Sequence, residues 1–139
     1  MKSKQDIGRG ARNKGKAGEN ELARLIRENW GYDVRRGHVF DHESDMVGLQ
    51  GIHCEVKRVE RLNIYDAMSQ AIVEAEIRND GLPVVFWRKN HGKWKATMRH
   101  GDLIEISGFY QDEIDRLPYM VTMSLPAFMD IYGEWISHE

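Results

Sequence analysis

From Ser44 to Lys57 the chain reads Ser-Asp-Met-Val-Gly-Leu-Gln-Gly-Ile-His-Cys-Glu-Val-Lys. Asp45 opens an apolar, strand-like run, Gln50-Gly51 reads as a turn, and a second run carries Glu55 and Lys57 two residues apart. A hairpin here would bring two carboxylates and an amine together. Successive strand residues point to opposite faces, so Glu55 and Lys57 share one face and Cys54 and Val56 the other. Such a set suits phosphodiester hydrolysis, which needs an activated water, an offset for transition-state charge and a stabilised leaving oxygen. Mg²⁺ supplies much of this when one or two carboxylates hold it and leave positions open for water and phosphate. Asp45 and Glu55 are the candidate ligands, and the Val56 backbone carbonyl is a candidate further oxygen. Lys57 is placed to orient or deprotonate the attacking water, or to stabilise developing charge. Glu-x-Lys alone is common in exposed strands. The apolar neighbours Cys54 and Val56, and Asp45 ten residues before Glu55, make the pattern more specific.

The elements that must position these groups are partly legible. Asp45–Leu49 and Ile52–Val59 are the expected central strands. Before them, 15–30 reads as a helix stopped by Gly31. Leu22, Ala23, Leu25, Ile26 and Trp30 form its apolar stripe, and Glu19 falls on that same face. A carboxylate there is costly unless paired or bound to a cation; equally, an acid is favourable in a helix's first turn, and spacing leaves both open. Glu21 lies off that face, as an expected solvated partner of Arg24. Tyr32–Arg36 reads as a first strand, of whose last residues, Arg35 and Arg36, only one can face a site beside the sheet. The polar run His38–Glu43 matches no ligand spacing and reads as a solvated loop rather than a transition-metal site.

Downstream, Asn63–Arg78 reads as a helix packing through Ile64, Met68, Ala71, Ile72 and Ala75, with Gln70 projecting away. Asn79-Asp80-Gly81 ends it. Pro83–Trp87 and Lys93–Met98 read as strands joined at Asn90-His91-Gly92. Trp87 and Trp94 read as packing aromatics rather than base-stacking platforms. Asp102–Ile106 is a short helix or strand. Ser124 and Pro126 mark a final helix start, with Phe128, Ile131, Tyr132 and Trp135 as its stripe. His53 shares the face of Glu55 and reads as a flanking residue, and Cys54 as a small core residue.

The 139 residues suit one core. The expected divisions are a flexible basic arm over 1–14, a catalytic core over 15–100 and an acidic extension over 101–139, packed on the core or a dimer partner. The net charge of −2 conceals an asymmetry: residues 1–36 carry ten Lys/Arg against five Asp/Glu, whereas 101–139 carry only Arg116 against eight acids. That pattern suggests a polyanion-facing start, whose arm would add to a salt-dependent affinity. One cysteine excludes a disulfide scaffold and a Cys-rich zinc site. No apolar run approaches the ~20 residues of a membrane span, and the basic start has no apolar signal core. The expected setting is cytoplasmic, nucleoid-associated when on DNA.

Taken together, these motifs resemble the PD-(D/E)xK nuclease superfamily, and within it the archaeal-type Holliday junction resolvases and their phage relatives. The similarity runs over roughly 14–98. Lys14-Gly-Lys-Ala-Gly-Glu-Asn-Glu-Leu matches the family's helix-borne acid at Glu19. Gly31-Tyr-Asp-Val-Arg-Arg-Gly matches a strand with a phosphate-contacting arginine. Ser44-Asp-Met-Val-Gly-Leu matches the "PD" strand at Asp45, and His53-Cys-Glu-Val-Lys the "ExK" strand at Glu55 and Lys57. Gln70 and Ala71 resemble a glutamine-bearing helix of some branches. Ser44 stands where the motif has proline, and His38–Glu43 lacks the serine that some archaeal resolvases place before the aspartate. The resemblance implies an α/β, restriction-endonuclease-like core with a central mixed β-sheet flanked by helices. It implies a Mg²⁺ site, with Mn²⁺ also supporting activity, and Glu19, Asp45, Glu55 and Lys57 as catalytic residues. Lys14, Lys16, Arg35, Arg36, Arg58 and Gln70 are the candidate DNA contacts. The implied activity is that of a homodimeric endonuclease on branched, four-way-junction DNA. The alternatives are a nuclease of the same fold acting on flaps, nicks or duplex, or a non-catalytic DNA-binding module.

Overall fold

Every strand of the sheet lies beside its neighbour in sequence. The computed structural model describes residues 4–108 and 120–138, with side chains from residue 15 onward except Val39. Its elements are α1 (Lys4–Trp30), β1 (Arg35–Arg36), a 3₁₀ turn (Val39–Asp41), β2 (Met46–Val47), β3 (Ile52–Arg58), α2 (Ile64–Arg78), β4 (Leu82–Arg88), β5 (Lys95–Arg99), α3 (His100–Ser107), β6 (Met120–Ser124) and α4 (Leu125–Ser137). The six strands form one sheet in the order β1-β2-β3-β4-β5-β6. All pairs are antiparallel except β3–β4, which α2 joins as a parallel crossover. The chain is therefore α/β, with a mixed sheet flanked by helices.

The central strands are covered on both faces, so Ile52 through Val56 and Pro83 through Phe86 are continuously buried rather than alternating. On one face α1 and α4 close the main core, in which Leu22 and Ile26 meet Cys54, Val56, Phe86, Phe128 and Tyr132. Phe128 packs edge-on to Phe86, with centroids 5.2 Å apart. On the other face, Ala67, Met68 and Ala71 of α2 pack on Val85. Asn63 caps α2 by accepting from the Asp66 N–H, and Asn79 ends it in the left-handed conformation, φ 51°. Ser124 likewise caps α4 through the Ala127 N–H.

Several expected boundaries move. The first helix begins at Lys4, not Gly15, so the expected border between a flexible arm and the core falls inside α1. Lys, Gln, Arg and Ala are good helix formers, and they extend a helix already anchored by its apolar stripe, although each interior glycine costs roughly 1 kcal/mol relative to alanine. The described part of 101–139 packs on the core, one of the two placements expected, and forms part of it. β6 completes the sheet and α4 supplies the buried Leu125, Phe128, Met129 and Tyr132. The strands expected over 32–36 and 45–49 shrink to two residues each, β1 and β2.

Candidate active site

The site forms where β2 runs out beside β3. Met46 pairs with Cys54, and the Asp45 N–H still donates to the Cys54 carbonyl at 3.2 Å. Beyond that point the chain turns away, and the Asp45 side chain takes over: its Oδ2 accepts from the Val56 N–H at 2.9 Å. Along a strand a residue's N–H and C=O point the same way, so the Val56 carbonyl is also directed at Asp45's side of the strand. Gly37 makes this turn possible. Its N–H donates to the Asp45 carbonyl at 2.8 Å, and a Cβ on it would lie only 1.7 Å from the Ser44 carbonyl oxygen.

Alternation along β3 puts His53, Glu55 and Lys57 on the α2 side, in register with Pro83, Val85 and Trp87 of β4. Lys57 Nζ reaches Gln70 Oε1 of α2 at 3.4 Å. Thus Gln70, although exposed and off the packing stripe, still reaches the amine with its side-chain oxygen. Glu19 arrives from the opposite side. A Cβ on Gly18 would come within 2.9 Å of Arg58 Cβ, so the glycine lets α1 lie directly on β3 and brings Glu19 level with the strand's outer end.

The electrostatics follow from crowding acids in a partly dry corner. Burial, with the adjacent Glu55 charge next, pushes Asp45 up to about 7. Burial also pushes Glu55 up, but hydrogen bonds from His53 and Asp45 outweigh it and leave Glu55 below its ordinary value. Asp45 and Glu55 therefore titrate as a pair. Glu19 is raised, by burial first; Arg36, Lys16 and Lys57 pull it down while Glu55 pushes it up. These couplings place Glu19, Glu55, Lys57, Arg36 and Lys16 in one neighbourhood.

Among the described residues, no group of three or more His, Cys, Asp or Glu side chains is arranged to hold a metal ion. The tight set is smaller: two carboxylates and a backbone carbonyl. It consists of hard oxygens, and Mg²⁺ commonly takes one or two carboxylates and keeps several waters. A pair of acids that cannot both ionise without mutual repulsion is one that a cation would relieve. The residues present therefore fit a Mg²⁺ or Mn²⁺ ion.

The candidate DNA contacts divide. The Arg36 charge is felt at Glu19, where it lowers the carboxyl pKa. Arg35 points away and forms a two-pronged pair with Glu43, at 2.9 and 2.8 Å. Arg58 lies on the Cys54–Val56 face, against α1, with Nη1 3.7 Å from Glu21. Glu21 also holds Arg88 at 3.0 Å, so it is not Arg24's partner; Arg24 pairs with Glu28. The expectation for Glu21 failed because the basic ends of β3 and β4, not its own helix, supply its neighbours. Lys16 is exposed, and the side chain of Lys14 lies outside the described residues. Trp94 is buried, and Trp87 donates to Thr97 Oγ1 at 2.9 Å, in keeping with packing roles.

One partner was not foreseen. His53 is fully buried, with Nε2 3.2 Å from Glu55 Oε1 and Nδ1 2.8 Å from Asp80 Oδ1. Alternation alone puts His53 beside Glu55; Asp80 becomes its neighbour only through the parallel β3–β4 pairing.

No protein-family model matches the chain, and a search of curated proteins found no match.

Proposed function

We propose that this chain is a metal-dependent endodeoxyribonuclease of the PD-(D/E)xK type, with a restriction-endonuclease-like core. The observation that carries the reading is the junction of Asp45, Glu55 and Val56 at the end of β2, with Lys57 one pleat repeat beyond Glu55. Asp45, Glu55 and the Val56 carbonyl would hold Mg²⁺ or Mn²⁺, with Glu19 beside them. When bound, the ion would lower the pKa of water and offset charge on the scissile phosphate. Lys57, steered by Gln70, positions its ammonium toward the water and the developing phosphorane charge. Arg36 and Lys16 attract the phosphate backbone. The Val56 N–H fixes the Asp45 carboxylate, so less reorganisation is needed when the reaction begins.

The more specific reading is a homodimeric resolvase of branched DNA, and its support is the resemblance over residues 14–98. A two-fold dimer would present two sites to a junction of near two-fold symmetry. The test compares cleavage of a fixed four-way junction, linear duplex, flap and single strand at equal salt with Mg²⁺. Junction-selective cleavage, lost in Asp45→Asn and with EDTA, is expected. Equal cleavage of all substrates would favour a nuclease with another target. Junction binding without cleavage would favour a non-catalytic module.

A further inference from the structure

The buried contact between His53 and Asp80 has no part in the steps above, yet it ends on Glu55. A fully buried imidazole normally needs its polar atoms satisfied, and here each ring nitrogen faces a carboxylate oxygen, at 2.8 Å and 3.2 Å. His53 is therefore gripped at both ends. Asp80 is anchored just after Asn79, whose left-handed conformation ends α2, and Leu82 beyond it donates to the Gly51 carbonyl at 2.9 Å. The chain Asp80–His53–Glu55 thus ties the orientation of one carboxylate to the α2–β4 junction. A free glutamate side chain has three rotatable bonds to order before it can bind a cation. Glu55 has one oxygen, Oε1, already occupied by His53, which leaves Oε2 as the oxygen to offer a cation.

We propose that His53 and Asp80 are positioning residues that fix the Glu55 carboxylate for a divalent cation. The proposal rests on the reading of Asp45 and Glu55 as cation ligands. The Asp80 side chain is about one-third exposed, so its replacement tests the idea without opening the core.

The experiment is calorimetric titration of Mn²⁺ into the full chain without DNA, with a thermal melt of each variant as a folding control. Partners that orient metal ligands typically contribute about 10–100-fold in affinity, and that range is expected for the loss in His53→Phe and Asp80→Ala. Asp80→Asn keeps an oxygen that accepts from the imidazole, and should recover part of the affinity. A merely structural role would lower the melting temperature without this graded effect on Mn²⁺ affinity. If Asp80→Ala folds and binds Mn²⁺ like wild type while Glu55→Gln does not bind, the positioning role is overturned and the cation reading stands. If wild type binds no Mn²⁺, or Glu55→Gln binds it unchanged, the cation reading falls and the positioning role with it.

Discussion

The Val56 N–H donates to Asp45 Oδ2 at 2.9 Å, where β2 has no backbone left to offer β3. A side chain here replaces a missing rung of the sheet, so Asp45 serves the fold and the candidate site at once. Asparagine can keep that hydrogen bond while removing the charge. Asp45→Asn is therefore expected to fold normally and bind DNA, but to lose cleavage by at least about a hundredfold, the scale of losing one key electrostatic contribution. Gel cleavage assays with anisotropy binding check this. Full activity in the variant would remove Asp45 from the mechanism.

The same residue makes stability depend on pH. Asp45 has a folded value of about 7 against an ordinary 3.8, so its contribution is fully present below about pH 4 and is lost as pH rises through about 7. Glu19 and His53 are also raised and act in the same direction. Glu55 is lowered, so its contribution is present above 4.5 and is lost only as pH falls through its lower folded value. Between about pH 5 and 8, the melting temperature measured in EDTA should fall as pH rises, and Asp45→Asn should flatten the curve. Excess Mg²⁺ should restore stability chiefly at the alkaline end, because a ligand must be deprotonated to bind it. At a hundred times its dissociation constant, Mg²⁺ would add about 2.7 kcal/mol. A melting temperature that rises from pH 5 to 8 in EDTA would contradict the assignment of Asp45.

How much of this was legible depends on whether the signal was local. The Ser124 cap, the Asn79 stop and the alternation of Cys54 to Lys57 are short-range features, and each is found where the sequence indicates, while Asn63, read as the first helical residue, is the cap of α2. Other features exist only once the sheet has assembled. Glu21 finds Arg88 and Arg58 because β3 and β4 end beneath α1, not because of its helix neighbours. β6 has no strong pattern of its own; what fixes it is pairing with β5, including a Thr97–Thr122 hydroxyl contact at 2.6 Å. Of the two arginines in β1, alternation shows that only one can face the site, but Glu43 decides which. The acids Asp45 and Glu55 are recognisable by motif, whereas Asp80 reaches Glu55 only through a buried histidine 27 residues away from it.

Gly37 should tolerate no side chain. A Cβ would lie 1.7 Å from the Ser44 carbonyl oxygen, and backbone cannot move aside as a flexible side chain can. Gly37→Ala must push β1 from β2 and carry Asp45 with it. The expected cost is about 1–3 kcal/mol, the range for an overpacked site. Cleavage should fall further than the lost stability explains, since about 1 Å of misplacement can cost a hundredfold in rate. Denaturant titration, with activity measured well below the unfolding midpoint, separates the two. Gly31→Ala gives a useful contrast: its left-handed conformation, φ 77°, would be strained, but its Cβ would meet no atom within 4 Å.

Lys57 and Gln70 should separate chemistry from positioning. Lys57→Met keeps much of the side-chain volume and removes the ammonium. It should reduce the cleavage rate by about 10²–10⁴, the range for a positioned proton-transfer group, with little change in junction affinity. Gln70→Ala removes only the 3.4 Å contact that steers Nζ and should cost less. The double variant should then be no slower than Lys57→Met, because Gln70 has nothing left to orient. Single-turnover rates for the four proteins complete this cycle; additive losses would mean that Gln70 acts independently of the lysine.

Arg35 and Arg36 are adjacent, yet they should behave differently on DNA. The Arg36 charge is felt at Glu19, whereas both terminal nitrogens of Arg35 are held by Glu43. To reach a phosphate, Arg35 would have to break that pair, so its net gain on binding is small. Arg36→Ala should weaken junction binding and reduce the salt dependence of affinity by about one phosphate contact. Arg35→Ala should leave that dependence nearly unchanged and instead loosen the loop that leads to Asp45. Anisotropy titrations from low to moderate salt measure both slopes. A larger change in slope for Arg35→Ala than for Arg36→Ala would reverse the assignment of which arginine faces the phosphate backbone.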